Sequence, residues 1–402
     1  MRRPKIILVI SLLALLVIFF SRCFPKSSSA SKDPRGSQYA GAGSCLTCHQ
    51  NISSSYAHNN HFKTSSAVNM NDLKKLTASS KSDFYYTDSS RIHVGEKEGN
   101  FFQSYFVNHK EIVAAKFDMA FGSAEKAQTY GYWKENKLFQ LPLTYFASMN
   151  TWANSPGFPN GYAYYNRIIE SRCLECHASY VNKEVVQSGP LEVSDKFDKS
   201  TIIYGIDCER CHGPAADHVK FQQANPSVKE AKYIVSIKSL TRQQKLDVCG
   251  VCHSGNDQAI QRSLFAFVPG DTLSHFYYPF SNSGKEPDVH GKQMQLLRSS
   301  MCFQKSNMTC SSCHSNHEPE ENKMDLFISK CMDCHQNSEH ATSILKENEQ
   351  VKGTPATVNK NCIDCHMPLQ TSKVIFFNSD TTLKNIPYFL RTHKIAVYKP
   401  GT

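Results

Sequence analysis

The pentapeptide Cys-x-x-Cys-His occurs seven times in this 402-residue chain, at Cys45-Cys48-His49, Cys173-Cys176-His177, Cys208-Cys211-His212, Cys249-Cys252-His253, Cys310-Cys313-His314, Cys331-Cys334-His335 and Cys362-Cys365-His366. Two thiols three positions apart on a helical turn reach the two vinyl groups of one porphyrin, and the next histidine offers its imidazole to the iron from one face. The competing reading is zinc knuckles or redox Cys-x-x-Cys pairs. Chance would supply roughly 0.03 copies of the full pentapeptide at this composition, and zinc pairs need no histidine immediately after them. All seven pairs carry one, so the chain is expected to hold seven covalently attached haem c groups. Fourteen of the 16 cysteines are then assigned, leaving Cys23 and Cys302. Cys302 lies among Met294, Leu297 and Met301 at helical spacing and reads as a small buried hydrophobe.

Of the 17 histidines, seven follow a cysteine pair and are expected to be proximal ligands. Ten remain for the second axial position, where a second imidazole makes a low-spin electron-transfer centre and an open site makes a catalytic one. His58 and His61 follow the first motif, His218 the third, His317 the fifth and His340 the sixth, while His290 and His393 stand apart. A short tether does not carry a histidine to the far face of its own porphyrin, so these residues are expected to ligate neighbouring haems. His93, His109 and His275 sit in strand-like or aromatic surroundings and read as bystanders.

The formal charge of +10 suggests nucleic acid or a membrane surface until the cofactors are counted. Roughly fourteen propionates take the balance to about −4, and seven ferric centres return it to about +3. No basic tract with interleaved aromatics is present, so no nucleic-acid partner is expected. Arg2, Arg3 and Lys5 precede an apolar run from Ile6 to Phe20, the layout of an export signal. The chain is expected on the extracytoplasmic or periplasmic side. A retained anchor, a lipid on Cys23 and simple cleavage all stay open, as does the oligomeric state.

Between His49 and Cys173 no motif occurs. Asp83 to Thr87, Arg91 to Val94, Phe101 to Val107, Glu111 to Phe117, Gln128 to Trp133 and Leu138 to Leu143 are aromatic or β-branched runs broken by turn residues, which predicts an antiparallel meander. Thr241-Arg242-Gln243-Gln244 reads as a capping box opening a helix into Cys249. The expected organisation is a signal or anchor over 1–24, a tether over 25–40, a first haem segment over 41–62, a β-rich insertion over 63–165 and a six-haem region over 166–402. The expected fold is mainly α with long irregular loops around stacked haems, plus that small antiparallel β insertion.

With Cys208-Glu209-Arg210-Cys211-His212-Gly213-Pro214, His218, Cys362 to Pro368 and the late His393, the chain resembles the multihaem cytochromes c. That group includes the tetrahaem partner of hydroxylamine oxidoreductase, octahaem oxidoreductases and pentahaem nitrite reductases. The resemblance spans Tyr39 to Tyr398 and implies haems stacked in parallel and perpendicular pairs, with a histidine matching His218 as a distal ligand. The sequence departs from the nitrite reductases in having no Cys-x-x-Cys-Lys motif, and from the compact tetrahaem carriers in its β insertion. The leading expectation is an electron carrier between a membrane or periplasmic donor and an acceptor. The alternatives are an oxidoreductase for a small nitrogen or sulfur oxyanion at one five-coordinate haem, and a docking subunit of a respiratory complex.

Overall fold

The computed structural model describes residues 33–187, 189–190, 193–255, 257–278, 286–320, 323–336, 361–378 and 385–398. The leader with Cys23, the first half of the tether and His340 lie outside them. Among the described residues no helix is long and apolar enough to cross a membrane.

The protein is not mainly α: 30% of the described residues are helical and 30% are strand, in several antiparallel sheets. The strands run in order β1 (Ser65–Ala67), β2 (Asp83–Thr87), β3 (Ser90–Lys97), β4 (Asn100–Val107), β5 (Lys110–Lys116), β6 (Met119–Phe121), β7 (Ala127–Lys134), β8 (Lys137–Gln140), β9 (Leu143–Phe146), β10 (Thr151–Asn154) and β11 (Ile168–Ile169). β12 (Ala178–Gln187) and β13 (Val193–Tyr204) form one hairpin, and β14 (Leu369–Asn378) and β15 (Asn385–Arg391) another. These two hairpins overturn the helical expectation. They carry β-branched runs such as Thr201-Ile202-Ile203 and Val374-Ile375 that favour pleated backbone once a partner strand is at hand.

β2-β3-β4-β5 is a four-stranded meander, and β1-β6-β7-β8-β11 with β9 and β10 makes a seven-stranded sheet. Alternation in β3 turns Ile92 and Val94 inward. Asn108 and His109 both have positive φ in the turn between β4 and β5, so His109 is committed to a hairpin. The helix Met70–Ser79, capped by the Asn69 side chain on the amides of Asn71 and Asp72, delivers Leu73 to the same core. That core joins Phe84, Phe101, Phe117, Tyr130, Phe146 and Trp152.

Both outlying hairpins begin just after a motif histidine. β12 follows His177, and β13 returns the chain through Gly205 to Cys208, packing Val181 and Phe197 against Met119, Leu138 and Leu174. β14 follows His366, and β15 delivers His393, with the Phe377 ring tilted against Phe146 at 5.0 Å between centroids. Gly205 has φ +62, and a Cβ there would stand 2.0 Å from the Phe62 carbonyl oxygen. The tight contact lets Ile206 N–H donate to the His61 carbonyl at 2.9 Å.

Candidate haem-binding site

The motifs fold as single helical turns. The histidine amide donates to the first cysteine's carbonyl at 2.9 Å in Cys45–His49, 3.0 Å in Cys310–His314 and 3.0 Å in Cys331–His335. Local caps start several of them. Asp207 accepts from Arg210 N–H at the helix Cys208–His212, Asn361 caps Cys362–His366, and Thr241 with Gln244 forms the capping box of Arg242–His253. The expected helix around Cys302 is instead two pieces, Gln293–Arg298 and Met301–Lys305. The break leaves Met301 exposed and Cys302 half-buried.

All seven motifs open onto one continuous cavity of about 3830 Å³, each supplying its histidine and at least one cysteine to the lining. Shared among seven groups this is about 550 Å³ apiece, within the range of a single cofactor pocket. His61, His218, His290, His317 and His393 also line it, whereas His58 is exposed and outside it. His93, His109 and His275 do not line it; His93 is paired with Asp83 at 3.1 Å.

Two imidazoles that share one iron, each nitrogen ~2 Å from the metal, hold their ring centroids about 6.3 Å apart. Three pairs from distant parts of the chain match that spacing: His212 with His317 at 5.9 Å and 6° between planes, His314 with His393 at 6.2 Å and 23°, and His61 with His253 at 6.1 Å and 89°. His290 lies within electrostatic reach of His177. Each pair joins a motif histidine to one from another part of the chain, as a second ligand from a neighbouring segment requires. No group of three or more His, Cys, Asp and Glu able to hold a metal ion occurs among the described residues. Paired imidazoles suit an iron whose other four ligands come from a macrocycle.

Burial favours the neutral form, the one in which imidazole binds a metal, in six of the cavity rings. It pushes His61 and His393 down to about 4 and lowers His177, His212, His253 and His290. Hydrogen bonds at Nδ1 orient several rings and leave the other nitrogen for a metal. Nδ1 of His218 donates to the Lys232 carbonyl at 2.8 Å, Nδ1 of His366 to the Ala396 carbonyl at 3.0 Å, and Nδ1 of His61 to Asn59 Oδ1 at 3.1 Å. Nδ1 of His314 meets a carboxylate oxygen, Glu320 Oε2, at 2.7 Å.

The motifs also touch one another. The sulfurs of Cys45 and Cys208, of Cys176 and Cys252, and of Cys249 and Cys310 lie close together. Cys331 of the sixth motif lies within electrostatic reach of Cys362 in the seventh and Cys313 in the fifth. The variable motif positions act as fasteners. Glu209 accepts from the amides of Ala40, Gly41 and Ala215, and Arg210 donates to the carbonyls of Leu264 and Glu175. Arg35 binds Asp33, Asp207 and Glu209 at 2.9, 2.7 and 3.1 Å, clamping the segment before the first motif onto the third. Burial would lower the Arg35 guanidinium, but its bonds to Asp33 and Asp207 outweigh that and hold it above the ordinary value. Sequence reasoning missed Arg35, Asn59 and Glu320, since polar and charged residues near motifs look like ordinary surface until their partners are known.

Two family models match parts of the chain: cytochrome c3 over residues 302–378, which contain the last three motifs, and cytochrome c554 and c-prime over 147–213, which contain the second and third. Among solved structures, the chain is similar to the outer cell wall cytochrome OcwA, with TM-score 0.48 and 18% identity over 85% of this chain and 79% of that one. No curated protein matches it. The two family matches, each over part of the chain, and the repeated attachment motif agree in supporting a multihaem cytochrome c with covalently bound haem c and a role in electron transfer.

Proposed function

We propose that the protein is an extracytoplasmic seven-haem conduit that passes electrons between a membrane or periplasmic redox partner and an acceptor. The observation that carries this reading is the single cavity lined by all seven motifs. When bound, each haem supplies a one-electron ferric/ferrous couple. The chain supplies the spacing, the second axial imidazoles and the dry apolar walls that tune each couple. The cross-motif thiol contacts support a route that does not follow chain order. It runs from the first motif to the third by Cys45 and Cys208, and from the fourth to the fifth by Cys249 and Cys310. The second motif joins as a branch through Cys176 and Cys252, and the sixth and seventh follow the fifth. The basic residues followed by the apolar run Ile6 to Phe20 support export.

A pyridine haemochrome assay on the purified protein should give seven haems per chain, and low-temperature EPR should be dominated by low-spin ferric signals. Parallel imidazole planes separate the two iron d orbitals of π type, whereas perpendicular planes leave them nearly degenerate and the g values widely spread. The pair His212 and His317 at 6° should give an ordinary rhombic signal, and His61 with His253 at 89° a highly anisotropic one. A haem count far below seven overturns the count. A high-spin signal worth one haem that shifts with nitrite or hydroxylamine overturns the pure carrier.

A further inference from the structure

The loop from His314 to Glu320 touches three of the imidazole pairs. His314 faces His393, and His317 faces His212. The Glu318 carbonyl accepts from Asn59 Nδ2 at 2.8 Å, and Asn59 Oδ1 in turn accepts from Nδ1 of His61. Glu320 is the residue that sets this loop apart. Its Oε2 lies 2.7 Å from His314 Nδ1, and its Oε1 accepts the Ser315 amide, so both oxygens are engaged and the carboxylate cannot swing away.

Elsewhere among the described cavity residues, Nδ1 meets neutral groups: backbone carbonyls at His218 and His366, an amide oxygen at His61, and a 3.4 Å amide contact from Gln293 at His253. Nδ1 of His393, the ring facing His314, is buried without a partner. Among the described residues Glu320 has no ion-pair partner except His314. Lys323 is engaged with Glu318, and Lys330 acts on Cys313 from a distance. Glu320 also acts electrostatically on His61, so its field reaches the fourth site as well.

We infer that Glu320 is a positioning residue that makes the iron held by His314 and His393 a low-potential centre of the array. This rests on the proposed seven-haem conduit. A carboxylate on Nδ1 increases the electron donation of an imidazole and places a fixed negative charge beside the metal, and both effects favour ferric over ferrous iron. A one-electron reduction there, with the electron arriving from a neighbouring ferrous haem, moves no proton, and the hydrogen bond between His314 Nδ1 and the Glu320 carboxylate is kept. The fifth motif contacts the fourth and feels the sixth. A low-potential centre at that place is a step between the two ends of the conduit, and electrons rest on either side of it.

The test is a redox titration of the full haem-loaded protein with dithionite as reductant, followed by EPR. The signal of this centre is identified as the one altered in His393→Met. Glu320→Gln keeps an acceptor for Nδ1 and removes the charge. The midpoint of that signal should rise, with at least a tenfold shift in the ferrous-to-ferric ratio at fixed potential, equivalent to 59 mV for a one-electron couple. A smaller rise is expected for the anisotropic signal of His61 and His253. Glu320→Asp, which retains the charge, should restore part of the shift. An unchanged midpoint in Glu320→Gln, with the Cys310–His314 peptide carrying its haem by mass spectrometry, overturns the proposal and leaves the conduit standing. A peptide without haem overturns the conduit at this site.

Discussion

The β module and the haem-binding remainder solve the problem of an interior in opposite ways. In the module, Phe84, Phe101, Phe117, Tyr130, Phe146 and Trp152 fill the space between two sheets and leave nothing for a cofactor to do. In the remainder the described apolar clusters are small, for example Leu246, Met294, Leu297 and Phe303, and they sit around a cavity of about 3830 Å³. The module is a self-sufficient core. The rest is a shell built around the haem-attachment motifs and fastened by polar clasps such as Arg35 with Asp207 and Glu209.

The largest effect expected from this difference is on the chain without haem. Hydrogen exchange on protein made without haem attachment should show protected amides in β2–β9 and fast exchange in the helices Cys208–His212 and Arg242–His253. Equal protection in both halves would break the contrast. Next in size is Phe117→Ala. It opens a void beside Tyr130 and Trp152, whose rings lie 4.7 and 5.9 Å away, and should cost about 3–5 kcal/mol in the module by urea unfolding. The haem spectrum should stay unchanged. Gly205→Ala tests the seam instead. With φ +62 and the Phe62 oxygen 2.0 Å from the new Cβ, it should cost about 3 kcal/mol. It should also disturb the EPR signal of His61 and His253, because the Ile206 to His61 bond crosses this contact.

The legible parts of the molecule are those whose chemistry is local. Covalent attachment demands a fixed spacing, so the seven motifs read directly from the chain. The meander was legible in part: the turns at Gly99 and Glu135-Asn136 are short-range signals, whereas Gly95, expected to break a strand, lies inside β3, and His109, which read as strand-like, sits in a turn. β12–β13 and β14–β15 were hidden because they start directly after motif histidines, where a helical continuation looked natural, and their strand character depends on pairing. The partners of the imidazoles were illegible for a stronger reason. His61 meets His253, and His314 meets His393, across separations that no periodicity spans. Crossing between motifs could be argued from tether length, but the identity of each crossing could not. Glu320 gave no signal at all, being one acidic residue among several after the fifth motif.

The smallest expected effect is the pH response of the clasp, and it should appear in the haem-binding half and not in the module. For Asp33, burial would raise the carboxyl, but the side-chain and backbone bonds from Arg35 outweigh it and hold the group below 3.8. A carboxyl depressed in the folded state contributes stability that is complete above its unfolded value of about 3.9 and disappears as pH falls through the folded value. Glu209 has the opposite sign, since burial dominates the amide and Arg35 bonds and raises it above 4.5. It carries a penalty at neutral pH that is relieved as pH falls through its folded value. The urea-midpoint difference between the native protein and Asp33→Asn should therefore be constant from neutral pH to about 5 and shrink below about 4. The corresponding difference for Glu209→Gln should begin to change at higher pH. If both differences tracked each other, or if β2–β5 lost protection along with the third motif, the clasp would belong to the module and the division into core and shell would fail.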